Sequence, residues 1–128
     1  MRLPTQLLQR IIGHPVAHFS GSGHQRALGR VEVQTSATIS PVHEDVFDDP
    51  FPVTLSDIST ETVGLISPRA MMPNSNIILS IPVSAGDDPM PVTIRCRIMR
   101  CLGLRDGRFT VVAEFLSICP IQSMRNRA

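Results

Sequence analysis

The strongest constraint on this chain's fold is a period-two alternation of apolar and polar residues that recurs six times between residues 31 and 116. Val31, Val33, Ala37 and Ile39 share one face of the first stretch, and Val53 and Leu55 alternate with Thr54 and Ser56 in the second. Val63, Leu65 and Ile66 form a third run, stopped by Ser67-Pro68. Ile77, Leu79, Ile81 and Val83 make the fourth. Val92, Ile94, Cys96 and Ile98 follow, alternating with Thr93, Arg95 and Arg97, and Phe109, Val111, Ala113 and Phe115 close the series. Successive side chains of a strand point to opposite faces, so each stretch reads as a half-buried strand. Turn signals separate them: an acidic loop over 40–50, a bend at 68–73, a turn at 84–89, and the hairpin dipeptide Asp106-Gly107. Pro82 falls on the outward face of its strand, which suits a strand end or a sheet edge. Six strands at regular spacing, with almost no helix, predict a small antiparallel barrel or sandwich. At 128 residues the chain builds one hydrophobic core, not two.

The flanks read differently. In residues 5–12 the spacing puts Leu7, Leu8, Ile11 and Ile12 on one face of a short helix, with Thr5 as N-cap and Gly13 and Pro15 as the stop. A helix this short does not hold by itself, so that face must dock on the domain or on a partner. His14 and His18 beside Pro15 read as loop, and Phe19-Ser-Gly-Ser-Gly23 as a flexible connector. Residues 1–24 thus form a helix and connector, 25–118 the β domain, and 119–128 a tail with little apolar content.

Composition removes several functions. Aromatic residues make up 4% of the chain, with no Trp and no Tyr, so there is no aromatic platform for stacking single-stranded nucleic acid. No apolar run approaches the roughly 20 residues a membrane helix needs, and no signal-peptide pattern is present. Cys96, Cys101 and Cys119 are an odd, sparse set without metal-ligand spacing, which reads as reduced thiols in a cytoplasmic protein. No cysteine–histidine pairing, phosphate loop or paired-acid signature supports an enzyme. Four acids at Glu44, Asp45, Asp48 and Asp49 fit no calcium loop. Met71 and Met72 read as core filler or a barrel plug.

Charge is laid out in blocks: +4 over residues 1–30, −8 over 31–90 and +5 over 91–128. The acidic middle argues against a nucleic-acid backbone as partner. All twelve basic residues are Arg. Arg supplies a planar fork that grips phosphates and guanine edges with paired hydrogen bonds. Arg95 and Arg97 on an outward strand face read as a solvated basic surface. Arg26-Ala-Leu-Gly-Arg30 is an Arg-x-x-x-Arg pair directly before the first strand. Asp57-Ile-Ser-Thr-Glu-Thr-Val-Gly64 ends the second strand and begins the third. Taken by itself, that stretch is a side-chain-to-backbone turn built by Asp57 and Ser59 to close a hairpin.

The combination of Arg26 and Arg30 before strand one with Asp57-x-Ser59 at the end of strand two resembles the PilZ domain. Gly64-Leu-Ile-Ser-Pro68 and Thr110-Val-Val-Ala-Glu-Phe-Leu116 resemble that family as well, and the likeness covers roughly residues 25–118. The resemblance implies a six-stranded antiparallel β-barrel with a short N-terminal helix, in a bacterial, cytoplasmic receptor for cyclic di-GMP. It implies that Arg26 and Arg30 grip phosphates and guanine edges, and that Asp57 and Ser59 hydrogen-bond guanine from the barrel surface. It implies no cofactor beside that ligand and no catalysis. The Gly-Ser connector between helix and Arg pair adds an expected relay, in which residues 20–30 close over the ligand and the helix at 5–12 moves or changes partner. The downstream protein is not named by any residue.

Two departures from the family's pattern stand out. Its second motif runs Asp/Asn-x-Ser-x-x-Gly, and the glycine position falls on Thr62, while Gly64 matches a glycine commonly found two residues later. If that position needs a positive φ or a close approach by the ligand, Thr62 is a poor substitute. The alternative is then a PilZ-like barrel that has lost its ligand and serves as a protein–protein interaction module. Gln25 before Arg26, in place of another basic residue, points to a single bound ligand rather than a stacked pair.

Overall fold

The computed structural model describes residues 1–13, 30–85 and 88–119. Seven strands follow one helix, α1 (Thr5–Gly13): β1 (Val31–His43), β2 (Val46–Phe47), β3 (Phe51–Ile58), β4 (Thr62–Ser67), β5 (Asn76–Ala85), β6 (Asp88–Gly103) and β7 (Phe109–Cys119). Their order in the sheet is β2-β1-β3-β4-β7-β6-β5, every pairing is antiparallel, and a β1–β5 pairing brings the two ends together. The six long strands therefore form a closed antiparallel barrel with one short N-terminal helix, as expected.

Closure depends on β1. Its residues Val31–Ile39 pair with β3, and Thr38–Val42 pair with β5. A closed sheet has no edge strand left to recruit other chains along the paired lengths. The interior is filled by the alternating residues: Ile39, Leu55, Val63, Leu65, Ile77, Leu79, Ile81, Ile94, Cys96, Ile98, Val111, Ala113 and Phe115 are all fully buried. Helix α1 closes the barrel against β5 through Ile11 and Ile12, with Leu3 buried ahead of it and Leu7 and Leu8 partly buried against the same core. The expected docking face thus packs on the domain itself. The first helical bond runs from Leu8 N–H to the Pro4 carbonyl at 3.0 Å, so Pro4 takes the capping position and Thr5 is the first residue inside.

Several local expectations change. The acidic 40–50 stretch is a hairpin rather than a loop: β1 runs on to His43, and Glu44 and Asp45 turn the chain with φ of 49° and 68° into the two-residue β2. Positive φ at both central residues is the turn whose twist matches a hairpin. β6 begins at Asp88, not near Val92, because its ladder with β5 continues to Ala85↔Asp88. Pro82 faces Pro91 across that ladder, beyond the last β1–β5 pair at Ser80, so neither missing N–H deprives a partner. Thr93, expected outward and wet, is buried. Met71 packs against the core, whereas Met72 is exposed. The Asp106-Gly107 hairpin stands as expected, with Gly107 at φ 88°. Residues 14–29, where a loop with His14 and His18 and a Gly-Ser connector were expected, and residues 120–128, expected as a tail, lie outside the described residues.

Two measurements test this packing. Ile11→Ala removes a buried anchor of α1 and should lower stability by about 2–4 kcal/mol in urea unfolding; a loss below about 0.5 kcal/mol would mean the helix is not docked. Burial pushes the Cys96 thiol far above its ordinary value of 9.0, and nearby Cys119 adds to the shift. The folded thiol stays protonated while the unfolded one ionises, so stability should be intact below pH 9.0 and fall as pH climbs past it. In the native protein at pH 8, Cys96 should escape alkylation, read by mass spectrometry.

Candidate functional site

The β3–β4 hairpin and the start of β1 build one surface cluster. Antiparallel pairing sets Val31 opposite Ile58, so Arg30, the residue before β1, arrives beside the turn that follows β3. Register alone thereby brings together residues far apart in the chain.

Asp57 reaches the outer surface through an irregularity in β3. Phe51, Val53 and Leu55 face the core, and strict alternation would send residue 57 inward as well. The register between β3 and β4 shifts between Leu55 and Asp57, so that Ile58 is buried instead and Asp57 points outward. A bulge of this kind re-aims one side chain without ending the strand. Its carboxylate lies over Gly64, its neighbour across the hairpin. A Cβ at Gly64 would come within 2.6 Å of Asp57 Oδ1, so this glycine is required for close approach and not for a positive φ.

Arg30 donates one arm of its fork to Asp57 Oδ1 and the other, Nη1, to Thr62 Oγ1 at 3.0 Å. The Arg30 and Asp57 side chains are about one-third exposed (33% and 32%), a setting in which solvent screens much of their attraction. Ser59 holds the turn: its Oγ accepts from the Thr62 N–H at 3.0 Å and the Glu61 N–H at 3.2 Å, and lies 3.1 Å from Thr62 Oγ1. The Ser59 N–H donates to the Thr62 carbonyl at 2.9 Å. The side-chain turn expected of Asp57 and Ser59 is therefore made by Ser59 alone, while Asp57 spends its carboxylate on Arg30. Thr62 is not among the described residues with positive φ, so its β-branched side chain is unstrained here.

The far side of this turn is tied down. The Leu3 N–H donates to the Thr60 carbonyl at 2.7 Å and the Phe115 N–H to the Glu61 carbonyl at 3.0 Å. The segment leading into α1 and the middle of β7 thus hang on the same four-residue turn.

Of the residues named from sequence, Arg30, Asp57, Ser59, Thr62 and Gly64 form this one cluster; Arg26 lies outside the described residues. Sequence reading missed the Arg30–Thr62 bond and the role of Gly64 under Asp57, since neither the bulge nor the β1–β3 register has a residue signature. Arg97 is paired with Glu114, which sits opposite Thr62 on β7, and does not join the cluster. Two clefts, one lined by Pro52, Pro82 and Pro91 and one by Phe51, Arg69 and Met72, contain none of its residues. Among the described residues no three His, Cys, Asp or Glu side chains gather as a metal site, and no helix is long and apolar enough to cross a membrane.

Comparisons with known proteins bear on the fold. No family model matches the chain, and no curated protein matches it in sequence. Among solved structures it is similar to the Bacillus subtilis inhibitor of motility MotI/DgrA, with a TM-score of 0.56 at 10% identity. That likeness covers 75% of this chain and 44% of the other, so the chain spans under half of the length of that protein. At such identity the likeness is one of fold.

The close approach at Gly64 yields a test. Gly64→Ala should still fold, because the clashing atom is the end of a side chain free to swing outward. The Asp57 carboxylate moves off and the Arg30 pair breaks, at a cost of about 0.5–1 kcal/mol in urea unfolding. A loss above about 3 kcal/mol would place the clash in the barrel wall instead.

Proposed function

We propose that this barrel is a receptor domain for cyclic di-GMP and that it acts by binding, not catalysis. The observation that carries the reading is the meeting of Arg30, Asp57 and Ser59, the residues that carry the resemblance to the PilZ domain, in one cluster on a closed antiparallel barrel. A guanine base presents O6 and N7 acceptors that match an Arg fork, and its N1 and N2 donors match a carboxylate. Arg30 and Asp57 supply both halves at one spot. Arg26, one helical turn's worth of chain earlier in the Arg-x-x-x-Arg pair, would add a second fork for phosphate or base.

The relay follows from what the turn holds. Closure of residues 20–30 over a bound ligand would pull on the turn 59–62, whose Thr60 and Glu61 carbonyls anchor Leu3 and Phe115. The helix at 5–13 is then the output, moving against β5 or exchanging the core for a protein partner. This reading also covers the bacterial and cytoplasmic setting that the resemblance implies.

A second reading has its own observation. Both arms of the Arg30 fork are already satisfied within the chain, by Asp57 and Thr62. A barrel closed in this way and never opened by a ligand would serve as a protein-interaction module.

Calorimetric titration with cyclic di-GMP separates the two, run on the parent chain beside Arg30→Ala and Thr62→Gly. The receptor reading expects saturable binding by the parent, weakened roughly tenfold to hundredfold in Arg30→Ala. A silent parent with a binding Thr62→Gly would mean a ligand lost through one residue, and silence from both would leave the interaction module. Arg26→Ala in the same series measures the share of the undescribed half of the pair.

A further inference from the structure

Arg30 is engaged in the folded chain, and the group holding its second arm is one that the Asp-x-Ser-x-x-Gly pattern does not provide. A glycine at position 62 has no hydroxyl, so the 3.0 Å bond from Arg30 Nη1 exists only because a threonine stands there. Two of that hydroxyl's three hydrogen-bonding positions are used within the chain: it accepts from Arg30 and lies 3.1 Å from Ser59 Oγ. With Asp57 on the other arm, the fork faces inward on the barrel surface rather than outward to an incoming group.

We infer that Thr62 is a latch, a positioning residue that holds Arg30 against the barrel in the ligand-free protein, so that a ligand enters by exchange instead of addition. The latch stands on the geometry alone; what replaces it rests on the cyclic di-GMP reading. When the Arg30–Asp57 pair opens around a guanine, O6 and N7 accept from Arg30 while N1–H and N2–H donate to Asp57, so neither ion is left bare. Adenine carries a donor at N6 where guanine has O6, which sets donor against donor at Arg30. The exchange therefore selects guanine. The Thr62 hydroxyl receives nothing from the base in return for Arg30, so its bond counts against binding. Replacement of the motif glycine by threonine then lowers affinity without disabling the site.

Thr62→Val tests this, because it removes the hydroxyl and keeps the volume and β-branching. The turn survives the change, since Ser59 Oγ still accepts from the backbone N–H groups of residues 61 and 62. In ligand-free, 15N-labelled protein, the Arg30 guanidinium protons should be individually resolved by NMR, reporting hindered rotation, and should average in Thr62→Val. Calorimetry should then find cyclic di-GMP bound about fivefold more tightly by Thr62→Val than by the parent, the fold-change of one ordinary hydrogen bond. Arg30 signals averaged in the parent, or resolved in both proteins, would overturn the latch. Equal or weaker binding by Thr62→Val, with the signals averaged, would overturn its opposition to the ligand. Resolved signals in the parent and averaged ones in Thr62→Val, with no binding by either, would support the latch and overturn the receptor reading instead.

Discussion

Strand β1 is the member on which the architecture depends. By pairing with β3 along its first part and with β5 along its second, it closes into a barrel a sheet made of two meanders, β1-β3-β4 and β5-β6-β7, that are joined on the other side by β4 and β7. Hairpin pairings between neighbours in sequence need only short loops, whereas the β1–β5 and β4–β7 pairings join distant segments and carry the larger loop-closure costs. What offsets those costs is the interior they seal: a continuous set of Ile, Leu, Val and Phe side chains removed from water. The same register that closes the barrel delivers Arg30 to the turn after β3. Stability and site geometry have one origin.

Within that frame, two small features aim the candidate site. The β3 bulge turns Asp57 out of the core, and Gly64 makes room for its carboxylate. Either feature alone would leave no outward carboxylate beside Arg30. A carboxylate and a guanidinium held about one-third exposed contribute little to stability. On the proposed reading, a pair screened by water is one that a ligand with matching donors and acceptors can open at low cost. A buried pair would be too costly to separate.

The turn from Ser59 to Thr62 joins two roles. Its side chains meet Arg30, and its carbonyls hold the approach to α1 and the middle of β7. Helix α1 is too short to persist without the core contacts of Ile11 and Ile12, so its docking is conditional on tertiary packing. On the proposed reading, a short helix plugged into the barrel and tied to this turn is the element that would relay a change at the site.

Much of this was legible from residues. Period-two alternation names the strands because a pleated backbone sends neighbouring side chains to opposite faces, and burial of Ile77, Leu79, Ile81 and Val83 follows that pattern. The amphipathic spacing of Leu7, Leu8, Ile11 and Ile12 names the helix, and Asp106-Gly107 its hairpin, for equally local reasons. Arg30, Asp57, Ser59, Thr62 and Gly64 were recognisable as a motif. What sequence by itself did not determine is how they meet. The bulge that reverses Asp57, the close approach over Gly64 and the bond between Arg30 and Thr62 depend on strand register and closure, which are set by the packing of the whole core. The hairpin that Glu44 and Asp45 turn between β1 and β2 was hidden for a related reason: Glu44 in the left-handed region is a poor local choice that the flanking pairing imposes. Local chemistry chose the elements, and only the closed barrel decided which of their side chains share a face.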